Sequence, residues 1–352
     1  MTPGPLLVVT RGRIIESVHY GSIAVVDSNG RRIASHGDPQ TVAFLRSSAK
    51  PFQTLLFVER GGVEHFGFTP RELALSCASH EGSDMHIQAV RQLQGKVGIE
   101  ENNLQCGTHL PGDVDELKSL IAHDRQPTPN HNNCSGKHTA MLAHAKMRGL
   151  PIENYLDIDH PIQQDILASF SDMCRLPVEQ VELGMDGCSA PNFAVPLFHA
   201  ALGFARMCDP DGLPEERAAA CHKITSAMTA HPEMVSGYGE FDEQLMKAGK
   251  GRVVCKRGAE GYQIIGLLPG TMGAESPGVG IAIKVSDGDA SRMGSGLEST
   301  NSVRPAVAIE ILRQLGVLSS DQMQALAGFG PEKSITNHRR IVTGKSYPVF
   351  EF

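Results

Sequence analysis

The chain has 352 residues, with 32 Lys or Arg against 39 Asp or Glu, so its formal net charge is −7. This length allows one large domain or two ordinary ones, and without long runs of either charge a nucleic-acid partner is not expected. The N-terminus MTPGPLLVVTRG lacks the basic and apolar regions of a secretory signal, no apolar stretch is as long as a membrane span, and eight scattered cysteines form no C-x-x-C pair. We therefore expect a cytoplasmic protein that acts on a small molecule, without nucleic acid or membrane.

Strands are predicted at the start of the chain, in residues 1–45. GSIAVVDSNGRRIASHG alternates apolar and polar residues around Asn29-Gly30, a strong hairpin signal because both turn residues tolerate positive φ. A mainly helical region follows over residues 46–250, and Thr69, Pro70 and Glu72 predict a capping box. Helical periodicity marks 84–93, 114–122, 136–148, 161–173, 196–207 and 215–229.

Strands return in the last third of the chain. VVCKRGAEGYQIIGLLPG and VGIAIKVSDGD predict a hairpin or meander, and 303–318 predicts a helix packed on it. This order predicts an α+β fold in which 1–45 and 251–352 build one sheet and 46–250 is inserted between them. The whole would be one compact unit or two intimately packed subdomains.

The segment FLRSSAKPFQ, residues 44–53, places Ser47 three residues before Lys50 and follows that lysine with Pro51. Side chains three residues apart share one face of a helix. Because proline is tolerated only in a first turn, the helix is predicted to begin at about Ser47. Ser47 and Lys50 could then meet as a hydroxyl–amine pair, with Arg46 beside them as a candidate substrate-binding residue.

A second serine and a second lysine extend this pattern. In Ser-Lys hydrolases the first pair is followed by a serine on a loop and by a Lys-x-Gly strand, and this chain offers Ser79 in CASHEG and Lys256 in KRG. A lysine serves as a base only when burial or a nearby cation lowers its pKa. Arg46 or Lys256 could act in this way on Lys50. Taken singly, Ser79 also fits a helix end and Lys256 a solvated strand.

Two polar loops carry possible metal ligands. PNHNNCSGKHTAMLAH predicts a tight turn into a helix at about residue 136, with Cys134, Lys137 and His138 in one turn, and MDGCSAPNFAVP carries Asp186 and Cys188. Two thiolates and one nitrogen make a three-ligand site with an open fourth position, which zinc favours. From side-chain chemistry alone, His138 is the preferred nitrogen. Buried cysteines, a capping histidine and a turn aspartate are the alternative.

Five motifs together resemble a known family. RSSAKPFQ, CASHEG, HNNCSGKH, MDGCSAPNFAVPL and KRGAEG, in that order, are similar to the rhizobial-type L-asparaginases, the class 3 or asparaginase II family. The similarity extends over essentially the whole chain, with Arg257 standing where an apolar residue is expected. The resemblance implies a fold similar to serine β-lactamases, penicillin-binding proteins and serine-dependent glutaminases. It also implies a homodimer that hydrolyses L-asparagine to L-aspartate and ammonia.

The resemblance also implies roles for the site residues. It pairs Ser47 with Lys50 and Ser79 with Lys256 as two tandems, and it places Asp186 beside them. Which serine attacks the substrate stays open.

For the metal, the resemblance implies zinc held by Cys134, Lys137 and Cys188. Lys137 thus replaces His138, which is left to contact substrate or water. Such a zinc ion would be structural or would tune affinity, and it need not activate water.

Two other functions remain open from the sequence. A glutaminase or another amidohydrolase could use the same scaffold, because one extra methylene in a substrate is worth only about 1–3 kcal/mol of discrimination. A non-catalytic protein that binds zinc or an amino acid is the alternative from another class.

Overall fold

The computed structural model describes residues 2–289 and 303–352, and the chain divides into two compact units. The first unit comprises Met1–Ser48, Val195–Asp209 and Gln244–Phe352, and the second comprises Ala49–Ala194 and Pro210–Glu243. Of the C-terminal region predicted over 251–352, residues 290–302 lie outside the described residues. Both ends of the chain therefore belong to one unit.

The strands, in chain order, are β1 (Gly4–Arg11), β2 (Ile14–Asp27), β3 (Arg32–His36), β4 (Val42–Phe44), β5 (Glu182–Met185), β6 (Pro191–Pro196), β7 (Val253–Arg257), β8 (Tyr262–Leu267), β9 (Val279–Val285), β10 (Lys333–Thr336) and β11 (Val342–Pro348).

The α-helices are α1 (Lys50–Glu59), α2 (Gly62–Phe66), α3 (Pro70–Ser76), α4 (Asp84–Val97), α5 (Val114–Ala122), α6 (Ser135–Met147), α7 (Pro161–Cys174), α8 (Leu197–Cys208), α9 (Glu215–Ala230), α10 (Pro232–Val235), α11 (Phe241–Ala248), α12 (Val303–Gln314) and α13 (Ser320–Ala325). Short 3-10 turns lie at Arg46–Ala49, Glu101–Asn103, Pro129–His131 and Val178–Gln180.

In residues 2–289 and 303–352 the first unit is an eight-stranded sheet with helices packed on it. Its order is β10-β11-β1-β2-β9-β8-β7, β3 pairs with β2, and the strand pairings between β1 and β11, β2 and β9, and β7 and β8 are antiparallel. Every residue in the second half of β2 is buried, and so is every residue of β9 except one. Because successive strand residues point to opposite faces, continuous burial means that both faces of the sheet are covered here. Helix α8 packs on β2, β8 and β9, and α12 contacts β1, β8, β9 and β11.

The second unit is helical around an aromatic core. Helix α1 contacts α6, α7 and α9, while α3 contacts α6 and α9. Phe52 on α1 meets Phe170 on α7 edge-on at 5.3 Å, and Phe170 stacks on Phe193 of β6 at 4.7 Å. Strands β5 and β6 form an antiparallel hairpin, with Glu182 opposite Ala194. This packing fixes the hairpin, and with it the turn that carries Cys188, against the helices.

The α+β class and a sheet built from both chain ends are confirmed. The predicted hairpin is β2–β3, with φ +91° at Gly30, and the capping box of α3 is formed by Thr69 and Glu72. The predicted helices correspond to α4 to α9 and α12, and their ends agree within about one turn. The sequence analysis missed the hairpin β5–β6 and counted α8 with the helical region, whereas α8 lies in the first unit. No helix in the described residues is both long and apolar enough to span a membrane.

Close packing of α8 on the sheet predicts a stability effect at Gly280. A Cβ at this position would lie 1.8 Å from the Ala201 carbonyl oxygen and 2.8 Å from Ala205 N, which are backbone atoms of α8. Gly280→Ala should therefore lower the free energy of unfolding by about 3 kcal/mol, measured by urea denaturation. Gly328→Ala in the same unit is the control, because among the described residues, apart from its two chain neighbours, no atom lies within 4 Å of its added Cβ. Equal stabilities of the two variants would contradict this packing.

Candidate active site

Lys50 opens helix α1 and is fully buried. A 3-10 turn over Arg46–Ala49 leads into the helix, and Pro51 lies in the first helical turn, where its missing N–H costs no hydrogen bond. The helical backbone thus begins one residue before the predicted Ser47, whereas the α-helix itself begins at Lys50. Arg46 has φ +52°, a left-handed conformation that is uncommon for a residue with a side chain.

The Lys50 amine has three oxygen partners. Its Nζ lies 2.8 Å from Ser79 Oγ and 3.1 Å from the Asn133 carbonyl, and it also donates to the Ala78 carbonyl. Burial lowers the pKa of Lys50, an effect that Cys134 opposes and Lys137 reinforces. A neutral amine has two protons and one lone pair. The three oxygens can accept the three protons of an ammonium, and once burial makes the amine neutral its lone pair can instead accept the Ser79 hydroxyl proton.

Ser79 lies in the loop that follows α3, as predicted. Its own N–H donates to the Val235 carbonyl at 2.8 Å, so the backbone holds the residue in place. The next residue, His80, anchors the loop: Nδ1 accepts the Gly82 N–H at 3.1 Å, and Nε2 lies 2.9 Å from Ser135 Oγ. Burial lowers the pKa of His80 well below its usual value, which keeps the ring neutral. The sequence analysis did not identify His80, although it lies inside CASHEG.

A buried cysteine–lysine cluster adjoins Lys50. Cys134 directly precedes α6, Lys137 lies in its first turn, and Cys188 lies in the β5–β6 turn. Lys137 Nζ donates to Cys188 Sγ at 3.2 Å, and all three side chains are at most 4% exposed. Cys134 contacts both Cys188 and Lys50. The structure therefore brings together the three predicted metal ligands and places them against the Lys50–Ser79 pair.

Charge within this cluster is unevenly shared. The Cys134 thiol donates to Asn133 Oδ1 at 3.1 Å. Its interaction with the Cys188 sulfur, together with burial, raises the pKa of Cys134, and the same interaction, with Lys137, lowers the pKa of Cys188. Burial alone would lower the pKa of Lys137, but Cys188, Cys134 and Asp186 outweigh it and raise that pKa. One thiolate at Cys188 beside one ammonium at Lys137 is the arrangement that these directions describe.

His138 and Asp186 flank the cluster. The His138 ring is fully buried, its Nδ1 lies 2.6 Å from Tyr155 Oη, and Tyr155 also accepts the Gln105 N–H at 3.0 Å. Asp186 is partly exposed in the β5–β6 turn, where its carboxylate accepts the Gly187 N–H at 2.8 Å. Tyr155 was missed by the sequence analysis, because no local pattern distinguishes it. Substrate contact by His138 stays a prediction.

The first unit holds the other candidate residues. Lys256 on β7 is fully buried and donates from Nζ to the Arg257 carbonyl at 3.0 Å. Ser48 Oγ donates to the Lys256 carbonyl at 2.8 Å, whereas Ser47 is partly exposed. A Cβ at Gly258 would lie 2.4 Å from the Leu45 carbonyl, so this close approach requires the glycine of KRG.

The three donors of the cluster suit a soft metal ion. Two cysteine sulfurs and one nitrogen are donors that Zn²⁺ accepts, although the lysine must first lose its proton. Among the described residues no group of three or more His, Cys, Asp or Glu side chains is arranged as a metal site. The cysteine–lysine cluster has two cysteines and no His, Asp or Glu ligand. It can therefore hold a zinc ion with three ligands only if the lysine is the third.

Solved structures that are similar to the chain include glutaminases, at low sequence identity. A probable glutaminase from Bacillus subtilis, complexed with 6-diazo-5-oxo-L-norleucine, is 14% identical with a TM-score of 0.40 and covers 85% of this chain and 84% of its own. A Bacillus glutaminase studied in concentrated NaCl is 13% identical with a TM-score of 0.38 and covers 85% of this chain and 92% of its own. Superpositions at these TM-scores carry no conclusion about this chain. No curated protein matches significantly.

A family model covers nearly the whole chain. The model of the L-asparaginase II family matches residues 7–348, which include every candidate residue described above. This protein therefore belongs to the L-asparaginase II family and is an amidohydrolase.

Proposed function

We propose that this enzyme hydrolyses L-asparagine to L-aspartate and ammonia through a hydroxyl activated by Lys50. The observation that carries the proposal is the buried contact of 2.8 Å between Lys50 Nζ and Ser79 Oγ. The family relationship makes a small amide the substrate class. A glutaminase on the same scaffold is the alternative activity, while a non-catalytic binding protein is disfavoured by membership in a hydrolase family.

The reaction follows from the proton inventory of this pair. Ser79 Oγ attacks the side-chain amide carbon while Lys50 takes the hydroxyl proton, and Lys50 then gives that proton to the departing ammonia. Water attacks the resulting ester, its proton passes to Lys50, and Ser79 Oγ recovers a proton as aspartate leaves. Because the Ser79 N–H already donates to Val235, other donors must stabilise the oxyanion.

Four further candidate residues belong to the proposal. The family resemblance pairs Ser47 with Lys50 and Ser79 with Lys256, so Ser47 and Lys256 are proposed as a further hydroxyl and a further amine of the reaction, and Arg46 is proposed to bind the substrate. Asp186, in the second unit, raises the pKa of Lys137 and is proposed to hold Lys137 as an ammonium when no metal is bound. The proposal includes a homodimer, which size-exclusion chromatography with light scattering would test.

Zinc is the metal that we propose for the cysteine–lysine cluster. Cys134, Lys137 and Cys188 would hold it, and when bound it would supply charge compensation for the two sulfurs. The ion would stabilise the turn before α6 and the β5–β6 turn around the Lys50–Ser79 pair. Its role is structural or affinity-tuning, and the proposed reaction does not require it to activate water.

Ammonia release from both amides tests the function. We expect a higher kcat/KM for L-asparagine than for L-glutamine, by about tenfold or more, because one extra methylene changes binding by about 1–3 kcal/mol. A coupled assay for ammonia with each amide in turn measures the ratio. Equal or reversed values would assign the enzyme to the glutaminase alternative, and no ammonia from either amide would refute the proposal.

Labelling with a diazoketone analogue of asparagine identifies the attacking serine. We expect peptide mass spectrometry to find the label on Ser79, and Ser79→Ala to lose about a thousandfold or more in kcat. Ser76→Ala is the matched control, because Ser76 is an equally buried serine whose hydroxyl donates to the Glu72 carbonyl within α3. A label on Ser47, with Ser79→Ala still reactive, would transfer the nucleophile to Ser47.

The pH dependence of the rate tests Lys50 as the base. Burial holds the pKa of Lys50 below its usual value of 10.5, so the amine becomes neutral at a lower pH than an exposed lysine would. We expect kcat/KM to rise with pH along a one-proton limb and to level off above the lowered pKa. Lys50→Arg, which stays charged, should lose activity at every pH. A limb centred at or above 10.5, or no limb, would contradict this role.

A further inference from the structure

A backbone carbonyl that contacts the Lys50 amine is itself held by a loop that the proposed reaction does not use. Lys50 Nζ donates to the Asn133 carbonyl at 3.1 Å, and the amide N–H of Asn133 donates to His109 Nε2 at 2.9 Å. His109 belongs to the loop CGTHLPGD, residues 106–113, which the sequence analysis did not identify. It is connected to the proposed base through a single residue.

The hydrogen-bonding roles of the His109 ring follow from its two backbone partners. Nδ1 lies 2.7 Å from the Leu110 carbonyl oxygen, and Nε2 lies 2.9 Å from the Asn133 nitrogen. Because a carbonyl only accepts and an amide N–H only donates, Nδ1 donates and Nε2 accepts. The ring thus holds the Asn133 N–H on one side and its own loop on the other.

The peptide on the other side of Asn133 is fixed from the same loop. The Asn133 carbonyl and the Cys134 N–H belong to one planar peptide unit. That N–H donates to Asn132 Oδ1 at 2.9 Å, and Asn132 Nδ2 donates to the carbonyls of Cys106 at 2.8 Å and Gly107 at 3.2 Å. Both peptide planes that meet at Asn133 are therefore hydrogen-bonded, and together they set the direction of its carbonyl.

The far end of the 106–113 loop is bonded to the loop that carries Ser79. The Asp113 N–H donates to the Glu81 carbonyl at 2.9 Å, two residues beyond Ser79. The 106–113 loop is therefore bonded to both of the segments whose oxygens surround the Lys50 amine.

We propose that this loop fixes the Asn133 carbonyl against Lys50 and that His109 is the positioning residue through which it does so. A lysine nitrogen has three directions besides its own carbon, and two of them are taken by the Ala78 and Asn133 carbonyls. The third points at Ser79 Oγ, so the lone pair of a neutral amine faces the hydroxyl.

Loss of one carbonyl would leave the Lys50 amine free to turn about its last side-chain bond. The lone pair would then face Ser79 for less of the time, which slows proton transfer without changing how the substrate binds. This effect on the rate rests on the proposed reaction, whereas the hydrogen bonds from His109 to Lys50 do not depend on it.

Two substitutions of His109 that differ by one methylene test this role. His109→Asn keeps a donor near the Nδ1 position but is too short to reach the Asn133 N–H, whereas His109→Gln places an amide oxygen near the Nε2 position. We expect His109→Asn to lower kcat for L-asparagine by about 10- to 100-fold, with KM changed by less than about twofold, because a misplaced catalytic group costs about that much. His109→Gln should recover kcat to within about threefold of the unsubstituted enzyme. Equal kcat values for the two variants, or a loss confined to KM, would refute the positioning role.

Crystal structures of the same variants give a readout that does not depend on activity. In His109→Asn we expect the Asn133 carbonyl to lie more than about 3.5 Å from Lys50 Nζ, beyond hydrogen-bond distance. In His109→Gln the contact should stay close to 3.1 Å. His109→Ala, which lacks both ring nitrogens, is a second test variant and should behave like His109→Asn. An unmoved carbonyl in His109→Asn or His109→Ala would overturn the proposal.

His160 provides a matched control in the same unit. Its Nδ1 accepts the Ile162 N–H at 3.3 Å and its Nε2 lies 3.0 Å from the Pro151 carbonyl, but among the described residues neither partner is bonded to Lys50. His160→Gln should therefore leave kcat unchanged, and a loss like that of His109→Asn would count against a specific role for His109.

Ammonia release separates the two proposals. If no variant and no unsubstituted protein releases ammonia, but the Asn133 carbonyl moves in His109→Asn, the proposed function alone is refuted. An active enzyme whose carbonyl stays in place in His109→Asn would refute this inference alone.

Discussion

The buried amine of Lys50 is the constraint on which the rest of the site depends. Removing an ammonium from water is costly, so a lysine with no exposed surface must either find strong acceptors or lose its charge. Here it meets two carbonyls and one hydroxyl. These partners come from the loop after α3 and from the segment before α6, so a single amine specifies how three elements of the second unit converge.

The amine and the sulfur cluster form one electrostatic system. Cys134 contacts Lys50 on one side and Cys188 on the other, and it works against the effect of burial on the pKa of Lys50. Any change in the charge on Cys134 is therefore felt at the base, because Coulomb interactions are strong where water is excluded. A metal ion bound at the cysteine–lysine cluster would therefore change the pKa of Lys50, and with it the activation of the Ser79 hydroxyl, through Coulomb interactions and without movement of the backbone.

A polar cluster of this size needs a rigid apolar support. The contacts among Phe52, Phe170 and Phe193 join α1, α7 and β6, which carry or adjoin the elements of the site. Buried hydrogen-bonded networks stabilise one arrangement only when every member has its partner. His80 meets that condition through Gly82 and Ser135, whereas His138 has a partner at Nδ1, in Tyr155, and none at Nε2 within the described residues.

The sequence by itself determined the elements and the identity of the reactive groups. Hairpin, capping-box and helix signals are local, so the secondary-structure elements could be predicted. CASHEG, HNNCSGKH and KRG contain the serine, cysteine and lysine side chains that the chemistry requires, so the reactive groups could be predicted as well. Only the tertiary structure decided the partners. It joined Lys50 to Ser79, which the sequence analysis had assigned to different tandems, and it placed Tyr155 on His138. Contacts between residues far apart in the chain depend on how helices pack and on burial, and neither leaves a periodic signal along the sequence.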